Sequence, residues 1–223
     1  MKYPALLLLG LVLVAGAAVR LTPPASTAAE AAKPSAPPAA PGSGKTESVV
    51  LGGGCFWCLD AGYKLLPGVI HVTSGYAGGT VAKPTYEQVC TGQTGHAEVV
   101  KIDYDPARTS LAKILEYFWK VHDATQAGGQ GNDLGPQYRS IILFADPAQQ
   151  AAAESSRHEA QTHADKRITT EIVALKDFWP AEDYHQDYFA KNPDQAYCSA
   201  VIQPKVDKLR QLLKSWKSDE AKP

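Results

Sequence analysis

Two cysteines three residues apart give the chain its clearest chemical potential, in the segment GGGCFWC at residues 52–58. A β-prone run at 48–51 precedes the glycines, and apolar residues follow Cys55 with the three- and four-residue spacing of an amphipathic helix. The pattern predicts that Cys55 lies at a helix N-terminus, where unpaired backbone N–H groups and the helix dipole stabilise a thiolate. Such a position lowers the pKa of a cysteine below its free value of about 8.5. The segment therefore predicts a sulfur nucleophile at Cys55.

Other kinds of site use the same spacing of two cysteines. A structural zinc site needs a second closely spaced pair, but the remaining cysteines, Cys90 and Cys198, stand alone. Attachment of a c-type haem needs a histidine directly after the second cysteine, where this chain has Leu59. Two alternatives stay open: a thiol–disulfide exchange protein that uses Cys55 and Cys58, and a non-enzymatic surface domain. The sequence predicts no metal site and no cofactor.

The helices and strands predicted around these cysteines indicate an α+β domain. Helices are predicted after Cys55, near 86–90, after Ser110 and after Asp146, and strands near residues 48–51, 69–76, 98–104, 140–144 and 171–175. The first six main elements have the order β-α-β-β-α-β, which is the split unit of ferredoxin-like folds. We expect a ferredoxin-like two-layer sandwich with an extra helix and an irregular C-terminal tail.

The two ends of the chain are predicted to lie outside this domain. Residues 1–18 carry a lysine, an apolar run and then small residues, which is the layout of a secretory signal peptide; an uncleaved membrane anchor is the alternative. Residues 19–45 are rich in Ala and Pro and predict a disordered linker. The catalytic domain is expected at 46–217, with a disordered tail at 218–223. A periplasmic or secreted location follows from this interpretation.

Charge excludes one class of partner. The formal net charge is −1, and both signs are interspersed along the chain without a basic stripe. Binding to nucleic acid needs a concentrated positive surface, so no nucleic-acid partner is expected.

A long polar loop at 122–137, rich in Gly, Asn and Asp, is typical of a functional loop in a compact domain.

A set of short motifs continues beyond the cysteine pair in a fixed order. After GCFW at 54–57 come GYAGG at 75–79, PTY at 84–86, TGHAE at 94–98, YDP at 104–106, HD at 122–123, QGND at 130–133, QYRS at 137–140 and AEDYHQ at 181–186. This ordered set, spread over residues 49–198, resembles the A-type peptide methionine sulfoxide reductase family. The resemblance implies the reduction of methionine-S-sulfoxide to methionine, in oxidised proteins, in peptides or as the free amino acid.

The resemblance also implies roles at the reacting atoms. Cys55 matches the nucleophile that attacks the sulfoxide sulfur and becomes a sulfenic acid. Glu98 matches the acid that protonates the sulfoxide oxygen, and a carboxyl in an apolar pocket has the raised pKa that this task requires. Tyr86 and Tyr138 match the hydroxyls that bind that oxygen.

Further residues match positions that support the reaction. Phe56 and Trp57 match the aromatic wall that receives the substrate methyl group, whose burial contributes only about 1 kcal/mol. Asp133 is expected to position Tyr138 or a water molecule. His185 matches a supporting position.

Clearing the sulfenic acid requires a second thiol, which forms a disulfide that an external reductant reopens. Cys198 matches the usual C-terminal resolving position in the family and is the first candidate. Cys58, where many relatives have glycine, is the second. The expected partners are the oxidised substrate and a thioredoxin-like reductant, and the protein is expected to be a monomer.

Overall fold

The computed structural model of the protein describes residues 44–220. The predicted signal peptide at 1–18, nearly all of the predicted linker and the last residues of the predicted tail lie outside this range. Within residues 44–220, no helix has the length and apolar character needed to cross a membrane.

The domain contains a six-stranded mixed sheet and a separate short hairpin. The strands are β1 Glu47–Gly52, β2 Val69–Ala77, β3 Ala97–Tyr104, β4 Gly129–Gln130, β5 Asp133–Leu134, β6 Ile141–Phe144, β7 Glu171–Ala174 and β8 Phe178–Pro180. The large sheet has the order β7-β6-β1-β3-β2-β8, and β4 pairs with β5 in the hairpin. The helices are α1 Phe56–Tyr63, α2 Tyr86–Cys90, α3 Leu111–Val121, α4 Pro147–Thr162, α5 Tyr188–Lys191 and α6 Gln203–Glu220.

The centre of the sheet has the predicted ferredoxin-like arrangement. Strands β6, β1, β3 and β2 lie side by side in that order, and each neighbouring pair is antiparallel. Helix α1 connects β1 to β2, and α3 lies between β3 and β6 along the chain, which completes the β-α-β-β-α-β unit. Strand β7 extends one edge in parallel with β6, and β8 extends the other edge antiparallel to β2. The α+β prediction is confirmed.

Local sequence explains why the two longer central helices begin where they do. The Ser110 side chain accepts a hydrogen bond from the backbone N–H of Lys113 at 3.2 Å and caps α3. Asp146 does the same for α4 by accepting from Gln149 N–H at 2.9 Å, with Pro147 at the first helical position. Buried apolar residues of α3 then pack into the main core, namely Ile114, Leu115, Tyr117 and Phe118.

The C-terminal tail is only partly irregular, which corrects the prediction. A π-helical turn at Cys198–Ile202 leads directly into α6, which continues to Glu220, beyond the predicted start of disorder at 218. The physical reason is an apolar stripe with helical spacing, because Ile202, Val206, Leu209 and Leu213 are all buried in the main core. The tail therefore returns to the domain as a packed helix.

Candidate active site

Cys55 stands at the junction of β1 and α1. The chain passes from Gly52 to Gly54, which has φ +95°, and Cys55 then takes the N-cap position of α1. A Cβ on Gly54 would lie 2.7 Å from the Cβ of Gln130, so a side chain is excluded there by both backbone conformation and space. The Cys58 backbone N–H donates to the Cys55 carbonyl at 3.1 Å, which places the two side chains one helical turn apart. The predicted strand–turn–helix geometry is confirmed.

Glu98 reaches the same junction from the sheet. It is the second residue of β3, opposite Tyr76 of β2, and only 2 % of it is exposed. Its Oε2 accepts a hydrogen bond from the backbone N–H of Phe56 at 3.0 Å. Burial raises the pKa of Glu98 to about 8, although the bond from Phe56 acts in the opposite direction. At neutral pH the side chain therefore holds a proton next to Cys55.

The environment of Cys55 differs from the expectation of a lowered thiol pKa. Burial raises the pKa of this thiol well above its usual value, and the hydrogen bond with Cys58 and the proximity of Glu98 act in the same direction. At the helix terminus the Cys55 side chain accepts no capping hydrogen bond, and the backbone N–H of Phe56 donates to Glu98.

Cys58 carries the lower pKa of the pair. Its hydrogen bond with the Cys55 thiol and the nearby Lys205 ammonium outweigh its burial and lower its pKa to about 7. The Lys205 Nζ lies 3.6 Å from the Cys58 Sγ. Cys58 is therefore the thiol of the pair that loses its proton first.

Tyr86 and Tyr138 converge on this site from different elements. Tyr86 begins α2, and its backbone N–H donates to Glu182 Oε1 at 2.9 Å. Tyr138 ends a 3-10 turn at Pro136–Tyr138. Burial is the main cause of the raised pKa of both hydroxyls, and the nearby Glu98 contributes to each. Both hydroxyls therefore remain neutral hydrogen-bond donors.

Asp133 has a hydroxyl partner different from the expected one. Its Oδ2 accepts a hydrogen bond from the Tyr197 hydroxyl at 2.7 Å. That hydroxyl also makes a hydrogen bond with the Cys55 thiol. Tyr197 and Lys205 are the two site residues that sequence reasoning missed. The only sequence signal was that Tyr197 directly precedes Cys198.

The aromatic residues after Cys55 differ in exposure. Phe56 is buried, with its ring centroid 5.0 Å from that of His185. Trp57 is half-buried and stacks on Tyr188, with centroids 3.6 Å apart and an interplanar angle of 6°. Its indole N–H donates to His185 Nδ1 at 3.1 Å, so His185 orients the indole. The aromatic wall is present, and its contact with a substrate methyl group stays a prediction.

Of the two remaining cysteines, only Cys198 lies near the Cys55–Cys58 pair. Cys198 is fully buried at 0 % exposure. Its pKa is raised mainly by burial and further by the negative charge of the nearby Cys58 thiolate. Cys90 is exposed at the end of α2. All four thiols are free, and no group of three potential metal ligands occurs among residues 44–220.

Comparison with known proteins gives one consistent result. The sequence pattern of a family described as "Peptide methionine sulfoxide reductase" matches residues 47–218. "Peptide methionine sulfoxide reductase MsrA" of Haloquadratum walsbyi is 54% identical over 166 residues, which cover 74% of this chain and 95% of that protein. The protein of the same description from Leptospira borgpetersenii is 52% identical over 162 residues, covering 73% and 92%.

Solved structures agree with the sequence relatives. Methionine sulfoxide reductase A of Corynebacterium diphtheriae superposes with a TM-score of 0.63 at 38% identity, covering 66% of this chain and 76% of that one. Mxr1 from Saccharomyces cerevisiae in reduced form gives 0.66 at 33% identity, covering 69% and 90%.

Proposed function

The chain belongs to the peptide methionine sulfoxide reductase family, as its motifs predicted, and from this premise we propose that it reduces methionine-S-sulfoxide to methionine with Cys55 as nucleophile. The substrates are oxidised proteins, peptides and the free amino acid. One observation carries the proposal: a buried carboxyl, Glu98, is kept protonated beside the Cys55 thiol by its burial. A sulfoxide becomes easier to attack when its oxygen is protonated, whereas disulfide exchange has no need of this acid.

The first step forms methionine and a sulfenic acid. The Cys55 proton passes to the Cys58 thiolate through the hydrogen bond between the two thiols. The Cys55 thiolate then attacks the sulfoxide sulfur while Glu98 gives its proton to the sulfoxide oxygen. The new bond between the two sulfurs and the substrate S–O bond then break as the hydroxyl group moves to the Cys55 sulfur, which gives Cys55–SOH and methionine. The hydroxyls of Tyr86 and Tyr138 hold the oxygen during the attack, and the Trp57 face receives the methyl group.

The second step removes the sulfenic acid. Cys58 returns its proton to the Glu98 carboxylate, and its thiolate attacks the Cys55 sulfur. A Cys55–Cys58 disulfide forms, the S–O bond breaks, and the oxygen leaves as water with the Glu98 proton. The hydrogen bond between Cys55 and Cys58 supports this order of the two resolving candidates. Cys198, which neighbours Cys58, then attacks the Cys58 sulfur and frees Cys55.

An external dithiol completes the cycle. A thioredoxin-like reductant donates two electrons to the disulfide and restores both thiols. The layout of residues 1–18 supports a location outside the cytoplasm, so this reductant and the oxidised substrates would meet the enzyme in the periplasm or beyond the cell.

The test uses the separated S and R diastereomers of dabsyl-methionine sulfoxide with dithiothreitol. We expect loss of the S form only, and no loss of either form with the Cys55→Ser variant. Turnover of the R form, or full activity of Cys55→Ser, would overturn the proposal.

A thiol–disulfide exchange activity is the second candidate, and the lowered pKa of Cys58 in a C-x-x-C pair favours it. Reduction of insulin disulfides by the prereduced protein, measured without any sulfoxide, separates the two functions. Insulin reduction in the absence of sulfoxide turnover would select the second.

A further inference from the structure

Lys205 occupies an unusual place for a lysine in this domain. Its Nζ lies 3.6 Å from the Cys58 Sγ, and the residue is half-buried. Among residues 44–216, whose side chains the structure describes, Lys205 forms no ion pair with a carboxylate. A partly desolvated lysine without an acidic partner is expected to stabilise whatever anion lies beside it. Here that anion is the Cys58 thiolate.

We propose that Lys205 is a positioning residue for resolution, because its ammonium holds Cys58 as a thiolate aimed at the Cys55 sulfur. This inference rests on the proposed function, since it concerns the step that follows sulfoxide reduction. The thiolate attacks Cys55–SOH, the S–S bond forms, and the oxygen leaves as water with a proton from Glu98. Lys205 transfers no proton in this step and acts only through its charge.

The packing of α6 fixes the position of the ammonium. Leu209 follows Lys205 by one helical turn and is buried. A Cβ on Gly62 of α1 would lie 3.1 Å from the Leu209 Cδ1, so glycine at this position allows α6 to approach α1 closely. Both Cys58 and Gly62 belong to α1, and both contacts lie on one face of each helix. The Lys205–Cys58 contact is therefore set by the packing of the two helices.

Among the side chains of residues 44–216, Lys205 supplies the only positive charge that acts on Cys58. The other groups near this thiol are neutral or carry negative charge, and they come from α1, β3, β5 and the C-terminal segment: Cys55, Glu98, Asp133, Tyr197 and Cys198. His122, which also lies near Lys205, stays neutral because burial lowers its pKa to about 4. In this described part of the chain, removal of the Lys205 charge leaves no other cation to replace it at Cys58.

The experiment separates sulfoxide reduction from resolution. Stoichiometric methionine-S-sulfoxide is mixed with fully reduced enzyme in the absence of reductant, at pH values from 5.5 to 10. Methionine yield reports the first step, and quenched-flow mass spectrometry follows Cys55–SOH and the Cys55–Cys58 disulfide. The variants are Lys205→Met, which removes the charge, Lys205→Arg, which keeps it, and Lys208→Met, which removes an exposed charge from the same helix.

We expect the wild-type disulfide rate to rise with pH around 7, the value to which the pKa of Cys58 is lowered. In Lys205→Met this rise should move up by about one pH unit, because the hydrogen bond with Cys55 still lowers the pKa of Cys58. At pH 6 the thiolate fraction then falls about tenfold, but the higher intrinsic nucleophilicity of a more basic thiolate recovers about threefold, so resolution slows about threefold. Above about pH 7.5 the variant should resolve faster than the wild type.

This crossover distinguishes a charge effect from a packing defect, which slows the reaction at every pH. Lys205→Arg keeps the charge and should leave the pH of the rise unchanged, and Lys208→Met should match the wild type. An unshifted profile in Lys205→Met, or a first disulfide that joins Cys55 to Cys198, would overturn the inference.

Two further results keep the outcome unambiguous. No methionine from the wild type would refute the proposed function itself. If Lys205→Met fails to fold, thiolate absorbance at 240 nm is compared between the wild type and Lys205→Gln, with Cys58→Ser identifying the titration of Cys58. A Cys58 titration that moves to higher pH in Lys205→Gln supports the inference, and an unmoved one refutes it.

Discussion

The two flanks of the Cys55–Cys58 pair have opposite electrostatic character. The sheet flank, which we define as Glu98 of β3 together with the neighbouring Tyr86 and Tyr138, presents protons, because burial raises the pKa of all three side chains. The tail flank, formed by Tyr197, Cys198 and Lys205, presents a positive charge to Cys58. One thiol is therefore kept protonated beside an acid while its neighbour is held as an anion.

The difference teaches how one small site can serve two consecutive reactions. Attack on a sulfoxide needs a proton donor near the oxygen, and resolution needs a thiolate near the sulfur. A single uniform environment would favour one requirement at the expense of the other. Because β3 and α6 approach α1 from separate directions, each thiol meets the group that its step requires.

The largest expected effect comes from the acid of the sheet flank. Glu98→Gln keeps the shape of the side chain but removes its transferable proton, so kcat/KM for sulfoxide reduction should fall by about 10² to 10⁴. In the wild type, methionine formation should decline as the pH rises through about 8, where Glu98 loses its proton. That decline should be missing in the variant. As a control, Glu87→Gln removes an exposed carboxyl on α2 and should keep kcat/KM within twofold of the wild type. An equally large loss of kcat/KM in Glu87→Gln would contradict the special role of Glu98.

Glu98→Gln should also change how the free energy of unfolding depends on pH. The pKa of Glu98 is about 8 in the folded protein and near 4.5 when unfolded, so its stabilising contribution is full below pH 4.5 and is lost as the pH rises towards 8. Glu98→Gln should therefore become more stable than the wild type across this window, by up to about 1.4 kcal/mol per pH unit. Urea unfolding at pH 4.5, 6 and 8 measures the difference. A constant difference at all three values would show that Glu98 does not retain its proton on folding.

A smaller effect is expected where the tail flank meets the loop at 122–137. Tyr197→Phe removes the hydroxyl that joins Asp133 to the Cys55 thiol. Loss of one such hydrogen bond corresponds to about 1 kcal/mol, or about a fivefold slower first turnover. In a double-mutant cycle with Asp133→Asn, the two losses should not multiply, because they break the same contact. If the losses in first-turnover rate multiply in the double variant, Tyr197 and Asp133 act separately.

The smallest effect on the first turnover is expected from Cys198→Ser. Because Cys58 already contacts Cys55, the Cys55–Cys58 disulfide should form at the wild-type rate within about twofold. Mass spectrometry after one equivalent of sulfoxide identifies the linkage, with Cys90→Ser as the control for loss of another thiol. Accumulation of Cys55–SOH in Cys198→Ser would restore Cys198 as the first resolving residue.

Much of the frame could be predicted from local pattern. Turn glycines before Cys55, alternating strands and capping residues such as Ser110 and Asp146 act over a few residues, so the sequence specifies them directly. The hairpin of β4 and β5 and the short strand β8 escaped prediction because strands of two or three residues carry no measurable period. Helix α6 carried an apolar stripe, but the mixed polar residues between its members obscured it.

The sequence by itself determined that Cys55 would begin a helix, because the backbone turn is a local property, and the resemblance to the family assigned Glu98 as its acid. Only the tertiary structure decided which thiol holds the negative charge. The Phe56 N–H donates across 42 residues to Glu98, and Lys205 reaches Cys58 across 147 residues. Electrostatic interactions depend on distance in space and on the exclusion of water, and neither is visible until the chain has folded.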